Sequence, residues 1–140
     1  MRTLAVDYGD VRTGLAVSDL TGTLAGEAWT VTQTDPARMA QIIADEAAKR
    51  QVGLIVVGRP LNMDGTAGPR AEKCEAFAEM LRSLQPLEVV LWDERRTTVD
   101  ALRILSDAGK KGKKQRARVD AVAATLILEG WLNGPGRSRL

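Results

Sequence analysis

The sequence predicts an α/β domain with a mixed five-stranded sheet and helices on both faces. Three strand-like segments come first, and the simplest join between the first two is a hairpin, so these strands should be antiparallel. Two further strand-like segments each follow a helical pattern, and such crossovers require parallel neighbours in the same sheet. Layers of sheet and helix then enclose the core.

The three opening strands are expected at residues 2–8, 13–18 and 27–32. The first is apolar in its middle and ends at Gly9. Residues 9–12 read Gly-Asp-Val-Arg and are turn-like, which supports the hairpin.

The first helix should begin at Asp35 and Pro36, an N-cap residue followed by proline at the first helical position. Residues 53–57 (GLIVV) are a short, continuous, mostly β-branched run, typical of a parallel strand covered on both faces. A second helix and a strand at residues 87–92 follow. The apolar positions at helical spacing are Met39, Ile42, Ile43 and Ala47 in the first helix and Cys74, Phe77, Ala78 and Leu81 in the second.

Two more helices are predicted in the last part of the chain. Thr97 or Thr98 caps the third, which ends at Gly109. The fourth follows a lysine-rich loop, and we expect residues 1–140 to form one domain with a flexible tail from about residue 134. The expected inward positions of the fourth helix are Val119, Val122, Ala123 and Leu126.

Among the 140 residues there is no histidine and one cysteine. The first fact excludes Ser-His-Asp and Cys-His nucleophilic systems, imidazole catalysis and most zinc sites. The second excludes an intrachain disulfide. Without a signal peptide or a long apolar run we expect a cytoplasmic protein that binds no membrane. Its chemistry must then depend on carboxylates, Lys or Arg, hydroxyls or a hard metal ion.

The net charge of +2 hides an uneven distribution. Residues 109–118 carry six cations and no acid, and without these six the chain has 14 basic and 18 acidic side chains. A segment of charge +6 on a body of charge −4 is typical of a flexible arm that contacts a polyanion, although a solvated loop would look the same. The six cations are Lys110, Lys111, Lys113, Lys114, Arg116 and Arg118.

Three carboxylates are expected at one edge of the sheet. Asp7 ends the first strand and Glu94 follows the last, and the carboxyl ends of parallel strands share an edge. Asp120 opens the fourth helix among small residues that let this helix lie close to the sheet. Structural roles are also possible: an Asx-turn for Asp7 and a helix-dipole contact for Asp120. Glu94 could pair with Arg95 or Arg12.

Carboxylates gathered in a partly buried site repel one another unless one is protonated or a cation lies between them. With oxygen ligands and no histidine, Mg²⁺ or Mn²⁺ is the fitting cation. Two such ions about 3.5–4 Å apart can activate a water and stabilise the leaving oxygen of a phosphodiester. Asp7, Glu94 and Asp120 are therefore candidate metal ligands and catalytic residues of a nuclease. Asp19 is discounted because the hairpin should carry it to the opposite edge.

Four segments together resemble one family. They begin with Asp7-Tyr8-Gly9, Val57-Gly58-Arg59-Pro60, Asp93-Glu94-Arg95 and Val119-Asp120-Ala121, and they span nearly the whole chain in this order. The pattern is similar to the bacterial YqgF family of pre-16S rRNA nucleases, also described as Holliday-junction-resolvase-like. Arg59 and Arg96 depart from that pattern, because the family often has apolar residues there.

The resemblance implies an RNase H-like fold, metal-dependent nuclease activity and a role in maturing the 5′ end of the small-subunit ribosomal RNA. The family's acidic positions correspond to Asp7, Glu94 and Asp120. Arg12, Arg95 and Arg59 are expected to hold phosphates together with the basic arm, since arginine binds phosphate in a bidentate manner. RNA is the favoured substrate, pre-ribosomal particles are expected partners, and the chain could act as a monomer or a homodimer.

Three other functions fit parts of the pattern. A Holliday junction resolvase would need two active sites in a two-fold dimer to make symmetric cuts. The opening Asp-x-Gly strand also resembles sugar kinases and actin-like ATPases, but those need two such domains around the nucleotide. A non-catalytic RNA-binding ribosome-assembly factor, with structural acids, would retain RNA without cleaving it.

Overall fold

The computed structural model describes residues 1–94 and 113–139, and for residues 113–120 and 138–139 it describes the backbone only. Within this part of the chain the strands are β1 (Arg2–Asp7), β2 (Arg12–Ser18), β3 (Ala25–Thr32), β4 (Val52–Arg59) and β5 (Glu88–Asp93). The helices are α1 (Pro36–Lys49), α2 (Pro69–Leu84) and α3 (Lys113–Asn133). A short 3₁₀ helix, Pro135–Arg139, follows α3.

The five strands form one mixed sheet, as predicted, and their order is β3-β2-β1-β4-β5. β1 is antiparallel to β2, with Asp7 opposite Gly14, and β2 is antiparallel to β3. β1 is parallel to β4, and β4 is parallel to β5, with Arg59 opposite Asp93. The carboxyl ends of β1, β4 and β5 therefore meet at one edge of the sheet, which we call the carboxyl edge.

The helices α1 and α2 cover one face of the sheet, and every predicted apolar position in them is buried except Ile42, which is half-buried. The predicted N-cap of α1 is confirmed, because Asp35 Oδ1 accepts a hydrogen bond from the Ala37 amide at 3.0 Å. The side chain of Tyr8 stacks on Phe77, with 4.0 Å between ring centroids. This stack anchors the end of β1 to α2.

The other face of the sheet is covered by α3. The Trp92 ring from β5 meets the Trp131 ring edge-on at 6.3 Å. The expected inward face of this helix was wrong, because Val122, Ala123 and Leu126 are only half-buried. The helix is apolar on most sides, so its sequence fits several faces at helical spacing, and contact with the sheet selects one. The buried residues of α3 are Ala124, Ile127, Leu128, Trp131 and Leu132.

One expectation for the last part of the chain differs from the structure. α3 begins at Lys113, so residues 113–118 of the basic segment are helical and do not form a loop. Within the predicted tail, residues 135–139 form the 3₁₀ helix, and Gly136 is buried against Trp131. The predicted third helix, residues 97–109, lies outside the described residues. No helix in the described ranges is both long enough and apolar enough to cross a membrane.

Gly130 lets α3 approach the sheet closely, because a Cβ at this position would lie 2.8 Å from Trp92 Cζ2. Alanine is the better helix former by about 1 kcal/mol. The rigid indole leaves no room for its methyl group, so we expect Gly130→Ala to lower the free energy of unfolding by about 1–3 kcal/mol. Urea unfolding followed by tryptophan fluorescence measures this. Glu129→Ala, at the adjacent exposed position, should change stability little, and a Gly130→Ala protein as stable as the wild type would contradict the prediction.

Candidate active site at the carboxyl edge

Asp7 ends β1 on the face of the sheet that α3 covers. Leu4 and Val6 pack on the α1 and α2 side, whereas Ala5 packs on the α3 side. Because side chains alternate along a strand, Asp7 shares the face of Ala5. It is half-buried, so solvent reaches part of the carboxylate.

Glu94 brings a second carboxyl group to the same face. A Cβ at Gly58, near the end of β4, would lie 3.1 Å from Glu94 Cδ and 2.5 Å from Ile127 Cδ1. The Glu94 carboxyl group therefore lies over the backbone of β4, next to the α3 side chain. Gly58 makes the room for it by having no side chain.

Burial raises the pKa of Glu94 to about 7. The positive charge of Arg70 opposes this effect, and the negative charge of Asp93 adds to it. A carboxylate with a pKa near neutrality is typical of functional sites, where desolvation is imposed on an ionisable group. A nearby cation would therefore stabilise the ionised form of Glu94.

The charges of both carboxylates act on Cys74. Burial raises the pKa of its thiol to about 11, Arg70 opposes the shift, and the charges of Glu94 and Asp7 add to it. The predicted core role of Cys74 is confirmed, since its side chain is buried on α2. A protonated thiol is a poor nucleophile, so Cys74 is not a reacting group.

Arg70, on the first turn of α2, is a site residue that the sequence did not single out. Its Nη2 donates to the carbonyl oxygen of Tyr8 at 2.5 Å, and its Nη1 donates to Asp10 Oδ1 at 3.1 Å. The positive charge of the same guanidinium partly offsets the rise in the pKa of Glu94. The sequence did contain one signal for Arg70. A cation is unfavourable in the first turn of a helix, so an arginine directly after Gly68 and Pro69 indicates a partner outside the helix.

The direction of α3 indicates where position 120 lies. Ile127 contacts Gly58 near the carboxyl edge, whereas Trp131 lines a cavity with Met1 and Leu54 at the opposite edge. Position 120 precedes Ile127 by two helical turns, about 10 Å further in the direction of the carboxyl edge. The side chain of Asp120 is outside the described part of the structure. Among the side chains that are described, no three Asp, Glu or Cys residues come together as a metal site.

The cations predicted to bind nucleic acid have different environments. Arg59 Nη1 donates to Glu75 Oε1 of α2 at 3.1 Å, so an internal carboxylate already binds this guanidinium. Arg12 begins β2 opposite Thr32 and is half-buried. Arg95, Lys110 and Lys111 lie outside the described residues, and only the backbone is described for Lys113, Lys114, Arg116 and Arg118.

The predicted position of Asp19 is confirmed. It follows β2, which is antiparallel to β1, and so lies at the edge opposite Asp7. Its carboxylate accepts hydrogen bonds from the Thr21 hydroxyl and the Thr23 amide, and these bonds lower its pKa to about 2. Asp19 therefore has a structural role in the loop that joins β2 to β3.

Residues 1–134 match the family model RuvX, described as Holliday junction resolvase. The chain belongs to this family. A relative from Halothermothrix orenii is 41% identical over 133 residues, covering 95% of each chain, and one from Myxococcus xanthus is 42% identical over 95% of this chain and 88% of its own. Both are named as candidate pre-16S rRNA nucleases. The predictions of a nuclease and of a nucleic-acid substrate are confirmed.

Solved structures confirm the RNase H-like fold. T. thermophilus RuvC in complex with a Holliday junction substrate superimposes with a TM-score of 0.62, at 12% identity and 95% coverage of both chains. The fowlpox virus resolvase in complex with Holliday junction DNA gives a TM-score of 0.59, at 11% identity, covering 96% of this chain and 99% of the viral one.

The raised pKa of Glu94 makes stability depend on pH. Below the pKa of the unfolded chain, near 4.5, the acid is neutral in both states; as pH rises through about 7, the folded protein must ionise a desolvated group. Relative to the wild type, metal-free Glu94→Gln should therefore gain about 1–3 kcal/mol of unfolding free energy at pH 8 and little at pH 4. Urea titrations at both pH values measure this. The control is Glu72→Gln, an exposed position on α2, and a pH-independent Glu94→Gln difference would contradict the prediction.

Gly58 should matter more for activity than for stability. An added methyl group would displace the ends of two flexible side chains, Ile127 and Glu94. We expect Gly58→Ala to lower the cleavage rate by about 10- to 100-fold, since a misplaced catalytic group has effects of this size. The loss of unfolding free energy should stay below about 2 kcal/mol.

A matched control lies on the same strand. Gly53→Ala crowds only the Met1 side chain, at the opposite edge of the sheet, and should keep near-wild-type activity. Cleavage assays and urea unfolding of both variants measure the effects on activity and on stability separately. Equal activities would show that the room above Gly58 is unimportant for the reaction.

Proposed function

We propose that this chain hydrolyses phosphodiester bonds in a divalent-metal-dependent reaction, with Asp7, Glu94 and Asp120 as metal ligands and catalytic residues. The observation that carries the proposal is the desolvated Glu94 carboxyl group, which shares the α3 face of the carboxyl edge with Asp7. Oxygen donors without histidine suit Mg²⁺ or Mn²⁺. Burial penalises the ionised Glu94, and a bound cation would offset that penalty.

Such an ion, when bound, supplies Lewis-acid stabilisation and an activated water. The chain's own residues contribute the surroundings. Asp7 and Glu94 present carboxylate oxygens on one face, and Gly58 makes room above β4 for the Glu94 carboxyl group. Arg70 holds the backbone next to Asp7 through the Tyr8 carbonyl. Cations of the basic segment would contact substrate phosphates, which gives sequence-independent and salt-sensitive affinity.

The favoured substrate is the precursor of the 16S ribosomal RNA, cut at or near its 5′ end. The relatives that are about 40% identical over nearly their whole length, and named for this RNA, support it. Pre-ribosomal particles would then be the partners, and the protein would work in the cytoplasm.

Removal of a proposed metal ligand should abolish cleavage without unfolding the protein. We expect Asp7→Asn and Asp120→Asn to lower the cleavage rate of labelled precursor rRNA by on the order of 100-fold or more, with either Mg²⁺ or Mn²⁺ present. Asp45→Asn, an exposed position on α1, serves as the control and should cleave like the wild type. Wild-type rates for Asp7→Asn or Asp120→Asn would contradict the assignment.

A second candidate substrate is the four-way DNA junction, favoured by the family's description as Holliday junction resolvase. Symmetric cutting would require two active sites in one two-fold assembly. Running the junction beside precursor rRNA and matching linear DNA in the same assay, with light scattering for the oligomeric state, separates the two. Paired cuts by a dimer would favour the junction, and a strict monomer that cuts rRNA would exclude it.

A further inference from the structure

A pocket of about 250 Å³ opens beside the carboxyl edge, on the face that α1 and α2 cover. We propose that it binds one nucleotide of the substrate strand, next to the nucleotides at the cleavage site. The base would lie in its apolar part and a phosphate on Arg70 and Lys73. This inference rests on the proposed function for its nucleic-acid ligand. The residues that line the pocket include Tyr8, Asp10, Lys73, Ala76, Phe77 and Met80.

The apolar part of the pocket suits a flat ring system. Tyr8 and Phe77 both line the pocket, and their rings are stacked with an angle of 10° between the planes. Met80 is half-buried and adds a polarisable, adaptable side chain. The volume is below the range of about 300–1,000 Å³ that is typical of pockets for drug-sized ligands, which favours a single base. The ring of every nucleobase has apolar surface that such a pocket can cover, so the site should tolerate any sequence.

Lys73 and the exposed Asp10 line the charged side of the pocket, and Arg70 adjoins it through its ion pair with Asp10. Lys73 Nζ lies 3.2 Å and Arg70 Nη1 lies 3.1 Å from the same oxygen, Asp10 Oδ1. The Asp10 side chain is 60% exposed, so the carboxylate is accessible to replacement. A phosphate oxygen carries the same charge and accepts the same hydrogen bonds, so a substrate phosphate can take the place of this carboxylate.

The pocket is continuous with the candidate active site. Tyr8 directly follows Asp7, and Arg70 bonds both the Tyr8 carbonyl and Asp10. Tyr8 points to the α2 side of the sheet, whereas Asp7 is on the α3 side. A strand that crosses the carboxyl edge at Asp7 therefore meets the pocket as it leaves on the other side. This continuity and the two cations favour a nucleotide over an uncharged apolar ligand or a protein partner.

The phosphate contact is tested by binding without cleavage. Fluorescence anisotropy of a short fluorescein-labelled single-stranded RNA, in EDTA, should show that Lys73→Gln weakens binding about three- to tenfold. The slope of log K against log salt should become shallower by about 0.7, the value for one phosphate on a single strand. Lys49→Gln, an exposed lysine at the end of α1, is the matched control. Identical affinities and slopes for the two variants would overturn the phosphate assignment.

Asp10→Asn tests the same contact through a variant that is expected to strengthen RNA binding. Without its carboxylate, Arg70 and Lys73 lose their internal anion, and RNA should bind about two- to fivefold more tightly. Binding that is unchanged or weaker would overturn the idea that a phosphate replaces Asp10.

The base contact is tested by filling the pocket. Ala76 is exposed on α2 and lines the pocket, and leucine is a good helix former, so Ala76→Leu should keep its thermal midpoint. It should weaken binding of an oligoadenylate about three- to tenfold and leave binding of a fully abasic strand of equal length unchanged. An equal effect on both strands, or no effect on either, would overturn the base assignment. The absence of any effect is the result expected if the pocket binds a protein partner.

Failure of this inference is distinguishable from failure of the proposed function. If Asp7→Asn abolishes cleavage while Lys73→Gln and Ala76→Leu bind like the wild type, the subsite is wrong and the catalytic assignment stands. If Asp7→Asn still cleaves while both pocket variants bind weakly as described, the catalytic assignment is wrong and the subsite stands.

Discussion

The close approach of α3 to the sheet is the constraint on which the rest of the structure depends. Two glycines allow it: Gly130 of the helix lies against Trp92, and Gly58 of β4 lies beneath Ile127. The same approach removes water from Glu94, whose carboxyl group is next to Gly58 and whose pKa rises to about 7. The packing that stabilises one half of the core therefore also sets the electrostatics of the candidate site.

A desolvated acid is unfavourable for folding and useful for chemistry. Arg70 opposes the shift of Glu94 only in part, and its hydrogen bonds go to the Tyr8 carbonyl and Asp10. A fully paired carboxylate would be more stable but less able to bind a cation. The remaining free-energy cost of ionising Glu94 is typical of a functional site, where local stability is below its optimum.

Much of the fold follows from local patterns in the sequence. The N-cap at Asp35 and the parallel crossovers depend on neighbouring residues and on chain direction, and both were predicted correctly. The buried face of α3 was not, because the helix is apolar on most sides and only contact with Trp92 and Gly58 selects Ile127 and its neighbours. Within the site, strand ends predicted a shared edge for Asp7 and Glu94, whereas the only signal for Arg70 was a cation in the first turn of a helix, which does not identify its partners.

The sequence by itself excluded histidine-based chemistry. With Asp7 and Glu94 at the ends of parallel strands, it predicted that carboxylates at one edge of the sheet carry the reaction. Only the tertiary structure decided how deeply Glu94 is buried, that Arg59 binds Glu75, and that Arg70 reaches the end of β1. These properties depend on which surfaces meet from distant parts of the chain, and no local pattern of residues contains that information.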